Sequence, residues 1–392
     1  MKQLDNKEKN DNFDDIRPFR DDEIDQVLDG LLRDKELLDI IARLKIPVLR
    51  KILHGLSLKL VAMSIKKELA GIHDVRSFQL LVKAYMDKML KRSTTGFTVS
   101  GIDRLSKERA HVFISNHRDI ALDPALVDYA MFMSDRDTVR IAIGDNLLSK
   151  PYASDLMRIN KSFIVNRSAK GRQMLAAYKK LSSYIRYSIE KDRHSVWIAQ
   201  REGRAKDSID KTEPAVIKMI SLSRDKKNET LKEFVHKMNM VPISISYEWD
   251  PLDVSKATEL YHKASGGEYQ KESHEDLASI GRGFMGNKGA IHIQFGTVLK
   301  GDFDTPEDVA TAMDRQIVGN YVLHPSNFAA YYKKTGEIPD LTYGFENRPF
   351  VLDEHKDALE ELDRRIGAQP DYLHSYILDI YANPVIFKLA LQ

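Results

Sequence analysis

The sequence predicts an α/β protein: a mixed, largely parallel central sheet flanked by helices, with an N-terminal helical domain and a helical C-terminal tail. Three observations predict it. Residues 17–92 carry helix-period apolar spacing, short β-branched runs then alternate with helix-period segments to about residue 300, and the pattern turns helical again from Thr305. The expected division is therefore a helical domain over 1–95, an α/β domain over 96–304 and a helical extension over 305–392.

The first residues, MKQLDNKEKNDNFDDIR, are polar and mixed in charge with no apolar h-region, and read as an arm that frays or orders on docking. In RDDEIDQVLDGLLRDKELLDIIARLK the acids come early, and Ile24, Val27, Leu28, Leu31 and Leu32 repeat at helical spacing. The segment Leu44–Ile72 then mixes apolar residues with five lysines and one arginine against a single acid, Glu68. It holds no uncharged window of the ~20 residues a membrane span needs. Leu53, Leu56, Leu60 and Met63 share a helical face. This describes either a basic amphipathic helix on an anionic membrane surface or a core-facing helix. A further helix is expected around Val75–Leu90.

After it the period changes. FTVSGIDRL, HVFISN, RIAIG (140–144), SFIVN (162–166), SVWIAQ (195–200), VPISISY (241–247) and AIHIQFG (290–296) read as strands. Asp123–Met133, Lys170–Glu190 and Pro214–Arg224 read as the helices between them, and such alternation implies parallel pairs. In the tail, Asp304 and Thr305 followed by PED form a helix start.

With 392 residues the chain is long for one ordinary domain, and 42% apolar with 30% charged residues is a globular composition. Cysteine is absent, which removes disulfides, thiolate nucleophiles and thiolate metal sites and suits a reducing cytoplasm. A net charge of +2 offers no global field for nucleic acid.

The chemistry concentrates in SNHRDIALDP, residues 115–124. His117 stands at a strand end and Asp123 before Pro124, where Asp as N-cap and Pro at N1 would start a helix. A carboxylate that fixes the imidazole tautomer leaves the other nitrogen free to take a proton from an alcohol. HRD also begins the protein-kinase catalytic loop, but that loop needs an Asn where Pro124 stands; the one GxGxxG, Gly281–Gly286, precedes a strand, and no DFG occurs. The kinase reading fails. Two more strands deliver polar residues at their ends: SFIVN gives Arg167, and SVWIAQ gives Arg201, Glu202, Gly203 and Arg204, with Lys206 beyond. In an open α/β sheet that edge binds ligands. Guanidinium forks there suit a phosphate, and Gly203 permits close backbone approach.

NH…D, then G-x-N-L with F-x-x-x-R, then a strand followed by EG-x-R, then an apolar strand with Pro242, resembles the four-block pattern of the glycerolipid acyltransferases over about Phe97–Gly301. AIHIQFGTVLKG is similar to the strand that follows the fourth block there. The resemblance implies a catalytic dyad at His117 and Asp123, phosphate-contacting positions at Arg167, Glu202, Gly203 and Arg204, and a fourth block at Pro242. Two departures stand out. Five residues separate His117 from Asp123 where the family has four, which leaves Asp119 as the other candidate partner; and the third block reads REGRAK.

The resemblance thus implies acyl transfer from an acyl thioester, on CoA or on acyl-carrier protein, to glycerol 3-phosphate or 1-acylglycerol 3-phosphate. Such a reaction requires no metal, redox cofactor or enzyme thiol. Backbone N–H groups near Gly203 are the candidate oxyanion donors. A lipid product with no spanning segment favours the membrane reading of 45–70 and a cytoplasmic, peripheral location on the inner membrane face. The alternative is a non-catalytic lipid or acyl-carrier binding protein of the same fold.

Overall fold

The computed structural model describes residues 11–148, 150–266 and 275–392. Most of the expected N-terminal arm, residues 1–10, lies outside the described residues, and Asp11–Phe13 forms one 3-10 turn.

Strands form at all seven β-branched runs: β1 (Gly96–Ser100), β2 (Val112–Ser115), β3 (Arg140–Gly144), β4 (Ser162–Val165), β5 (Val196–Ala199), β6 (Met240–Tyr247) and β7 (Ala290–Phe295). β2 and β6 are buried along their whole length, as strands covered on both faces must be. Pairing is parallel for β1 with β7, β2 with β5, β2 with β6 and β3 with β4, and antiparallel for β6 with β7. This is the mixed, largely parallel α/β class that the sequence predicts. A small antiparallel hairpin, β8 (Thr342–Tyr343) with β9 (Arg348–Pro349), was not legible in the tail.

The chain divides into two compact units. Unit one joins the N-terminal helices up to Tyr85 with Arg140–Tyr184, and unit two comprises Met86–Val139 and Ile185–Gln392. The reason is where the first helices bury their apolar faces. Ile24, Leu28, Leu31, Ile72, Val75 and Phe78 pack with Tyr152 and Ile159 of the helix Pro151–Ile159, which connects β3 to β4. These N-terminal helices share a core with that crossover.

Unit one also holds the basic segment, as the helices Pro47–Ile52 and His54–Glu68. Leu58, Val61, Ala62 and Ile65 pack against Leu38 and Ala42 of the helix Lys35–Lys45. Arg50 forks onto Asp39 at 2.6 and 2.7 Å. The face read from the sequence points the other way: Leu53, Leu56, Leu60 and Met63 are exposed, as are Val48 at 70% and Ile52 at 71%.

In unit two the strand order is β1-β7-β6-β2-β5. Thr305 caps the helix Pro306–Gly319 in a box with Asp308, as its sequence promised. The tail does not stand apart. Leu362, Leu373, Ile377 and Tyr381 share a core with Trp249 and Ala257, from the segment just after β6.

Three buried histidines give unit two an acid sensitivity. Burial lowers His111 and His292 to about 4 and His324 to about 3, from an ordinary 6.5. The unfolded chain takes up these protons below pH 6.5, whereas the folded protein refuses them until near pH 4. Their contribution is therefore complete above pH 6.5 and is lost as pH falls toward 4, by about 1.4 kcal/mol per pH unit for each residue. Urea unfolding at pH 7 and 5.5 checks this. His111→Leu, which keeps an apolar group against Phe113, should lose less stability over that interval than the wild type; an equal loss in both would contradict it.

Candidate active site

The loop that carries His117 begins where β2 ends. Asn116 fixes its start as a strand neighbour would: the Ile245 N–H donates to Asn116 Oδ1 at 2.8 Å, and Asn116 Nδ2 donates to the Ile245 carbonyl at 2.9 Å. His117 follows, mostly buried, its ring edge-on to Trp197 at 5.8 Å between centroids.

His117 Nδ1 lies 2.8 Å from Asp123 Oδ2. The same oxygen accepts the backbone N–H groups of Arg118 at 2.6 Å and Asp119 at 2.9 Å, and Asp123 Oδ1 accepts the Tyr247 hydroxyl at 2.7 Å. Asp123 is 0% exposed. Burial pushes its carboxyl up, but the hydrogen bonds from His117, Tyr247 and the Asp119 N–H outweigh that and hold it below the usual carboxylate range. Burial and the facing Asp123 carboxylate push the Tyr247 hydroxyl well up. An ionised carboxylate at Nδ1 makes that nitrogen the donor and leaves Nε2 as the basic one.

One detail of the sequence reading is corrected. Asp123 is not the N-cap: the helix Leu122–Met133 starts a residue earlier, and its cap position is Ala121. The orphan N–H groups go to Asp119 instead, whose Oδ1 accepts from Ala121 at 3.0 Å and Leu122 at 2.9 Å. The fifth intervening residue thus goes into an Asp119-centred turn, and Asp123 faces His117 from inside the first helical turn. Asp119 is itself buried; burial and then the Asp123 charge raise its carboxyl. The helix Glu275–Met285 crosses it at Gly283, where a Cβ would run into the Asp119 carboxylate. The glycines of the apparent GxGxxG therefore include one needed for close packing.

The loop after β5 touches the His117 loop: the Ala205 N–H donates to the His117 carbonyl at 2.8 Å. Glu202 and Gly203 are exposed there, Gly203 at φ +73°, and Arg204 is half-buried. Lys206 forms an ion pair with Glu259. Pro242 is a buried residue of β6, opposite Ile114 of β2, and its carbonyl accepts the Gly296 N–H at 2.8 Å. It belongs to the sheet itself. Arg167 belongs to unit one. It is exposed after β4, its backbone N–H donating to Asp145 Oδ1 at 3.1 Å. In unit two the structure brings together His117, Asp119, Asp123 and the loop carrying Glu202, Gly203, Arg204 and Lys206.

Sequence reasoning missed the frame around them. Arg118 is buried and donates to Asp210 Oδ2 at 2.6 Å, and Asn116 Nδ2 donates to the same oxygen at 3.1 Å. Burial pulls the Arg118 guanidinium down, yet Asp210 and the neighbouring groups hold it above its usual value. Lys256, also buried, donates to the Arg118 carbonyl at 2.8 Å and pairs with Asp250. The tail supplies more: Asn383 donates to the Asp207 carbonyl at 2.7 Å, and Asp314 accepts the Thr212 N–H at 2.8 Å. Only Arg118 carried a signal, as the charged neighbour of His117. Among the described residues no group of three or more His, Asp or Glu side chains is placed to hold a metal ion.

Residues 96–244 match the family model described as Acyltransferase. No curated protein matches the chain. Among solved structures, the 1-acyl-sn-glycerophosphate (LPA) acyltransferase PlsC from Thermotoga maritima aligns at 16% identity and a TM-score of 0.35, covering 72% of this chain and 92% of that one. The matched residues take in β1 to β5, the first part of β6, His117, Asp123 and the Glu202–Arg204 loop, so residues 96–244 are similar to the acyltransferase family over the stretch that carries the sequence blocks.

Proposed function

We propose that the protein transfers an acyl group from an acyl thioester, on CoA or acyl-carrier protein, to the hydroxyl of glycerol 3-phosphate or 1-acylglycerol 3-phosphate. The observation that carries this reading is the 2.8 Å contact between His117 and an Asp123 that is itself held by three further donors. His117 Nε2 takes the acceptor's hydroxyl proton as its oxygen attacks the thioester carbonyl. The tetrahedral oxyanion collapses, the C–S bond breaks, and the thiolate leaves with the proton that the imidazolium returns. No acyl-enzyme is required.

Arg204, on the loop bonded to His117, binds the acceptor phosphate through its guanidinium fork. Glu202 and Gly203 shape the same loop, and Lys206 stiffens it through Glu259. The N–H groups around Gly203 serve as oxyanion donors.

The exposed face from Val48 to Met63 is the contact with the lipid surface. Lys51, Lys59, Lys66 and Lys67, which have no acidic partner among the described residues, flank it. No described helix is long and apolar enough to cross a membrane. The deciding experiment measures acyl transfer from acyl-CoA and from acyl-carrier protein to each of the two acceptors. Transfer to one or both establishes the reaction and names the acceptor. Tight binding of acyl thioester without transfer to either would favour the binding-protein alternative.

A further inference from the structure

The helix Gly171–Glu190 begins in an unusual way. Its first six residues, Gly171 to Ala176, are all exposed. Six residues make more than one and a half turns, so every side of this stretch keeps an exposed residue. Within it Met174 is 40% exposed and Leu175 60%. Adjacent positions point about 100° apart and do not form the i, i+3, i+4, i+7 stripe that a protein groove receives. Charge runs one way here. From Asn166 to Ile189 the sequence holds six cations (Arg167, Lys170, Arg172, Lys179, Lys180 and Arg186) and no acid. Lys180 is taken by Asp15 at 2.6 Å, but Lys170, Arg172 and Lys179 have no acidic partner among the described residues.

We propose that residues 167–179 form a second lipid-contacting patch, for an anionic bilayer surface, on the same compact unit that carries the 48–63 face. This rests on the reading that the protein works at a lipid surface. A helix tip with apolar groups on more than one side is what a bilayer interface accommodates, because lipid closes around it from every direction. A protein partner would cover one side only. Met174 and Leu175 enter the boundary between head groups and acyl chains, and Lys170, Arg172 and Lys179 meet the lipid phosphates.

The test uses the full chain with vesicles of phosphatidylcholine alone or mixed with phosphatidylglycerol, read by cosedimentation. The variants are Met174→Ser with Leu175→Ser, Lys170→Gln with Arg172→Gln, and, for the first face, Leu56→Ser with Leu60→Ser. Each pair should weaken binding to the mixed vesicles roughly tenfold or more. The cation pair should have no effect on phosphatidylcholine alone. Wild-type binding by the 174/175 variant, with binding lost in the 56/60 variant, overturns this proposal and leaves the lipid-surface reading standing. Absence of vesicle binding by the wild type removes both. Unchanged vesicle binding by the 174/175 variant, with transfer from acyl-carrier protein lost and transfer from acyl-CoA kept, also overturns it and assigns the patch to the carrier protein.

Discussion

Asp123→Asn is expected to lower the acyl-transfer rate by roughly 10³–10⁴-fold, close to the loss from His117→Ala, while Asp119→Asn costs less than about tenfold. The difference follows from what each carboxylate bonds. Asp123 accepts four donors on two oxygens, one of them the His117 ring. An amide there places an NH2 against donors on one side or the other. If the NH2 faces His117, the imidazole must turn Nδ1 into an acceptor, and Nε2 then carries the proton and cannot act as base. Asp119 Oδ1 bonds only backbone N–H groups that cap the following helix, and an amide oxygen accepts those equally well. Combining His117→Ala with Asp123→Asn should cost no more than His117→Ala alone, because the two act as one unit. The check is single-turnover transfer by each variant, with circular dichroism to establish folding. A collapse in Asp119→Asn with activity surviving in Asp123→Asn would reverse the assignment.

The sequence held the parts of the site that periodicity and strand ends reveal. Seven β-branched runs located seven strands, and those ends carry His117, Arg167 and the Glu202–Arg204 loop. What it withheld depends on contacts between distant segments. The use of Asp119 as the capping acceptor in place of Asp123 turns on a shift of one residue in where the helix begins, which Asp and Pro in ALDP do not disclose. Tyr247 looked like the last residue of a strand until its hydroxyl proved to meet Asp123 across 124 positions. The two compact units were hidden for the same reason. The apolar spacing of Ile24, Leu28 and Leu31 says that a face is buried but not that Tyr152 and Ile159 cover it. The tail read only as a helical extension, and nothing in its sequence disclosed that Asn383 and Asp314 hold the loop after β5 at Asp207 and Thr212.

The ion pair beneath the site yields the largest stability effect. Arg118→Met should destabilise the protein by about 3–5 kcal/mol, and Asp210→Asn by a comparable amount, because each leaves a buried polar partner without its counter-charge. Both side chains are more than nine-tenths buried, and their 2.6 Å contact joins the loop after β2 to the loop after β5. Desolvating two charges offsets most of their attraction. The double variant Arg118→Met with Asp210→Leu should therefore recover most of the loss, as apolar replacements of a buried pair do. Urea unfolding of the two single variants and the double variant measures this, and a loss under about 1 kcal/mol in Arg118→Met would mean that water reaches the pair. Activity should not recover in parallel. The pair joins the loop that carries His117 to the loop that carries Arg204, and under the proposed function a stable double variant with repacked loops should still transfer acyl groups roughly 10- to 100-fold more slowly, with a raised KM for the acceptor. If activity returned together with stability, Arg118 and Asp210 would be packing residues only, and the Ala205–His117 hydrogen bond and the tail would alone position the loop.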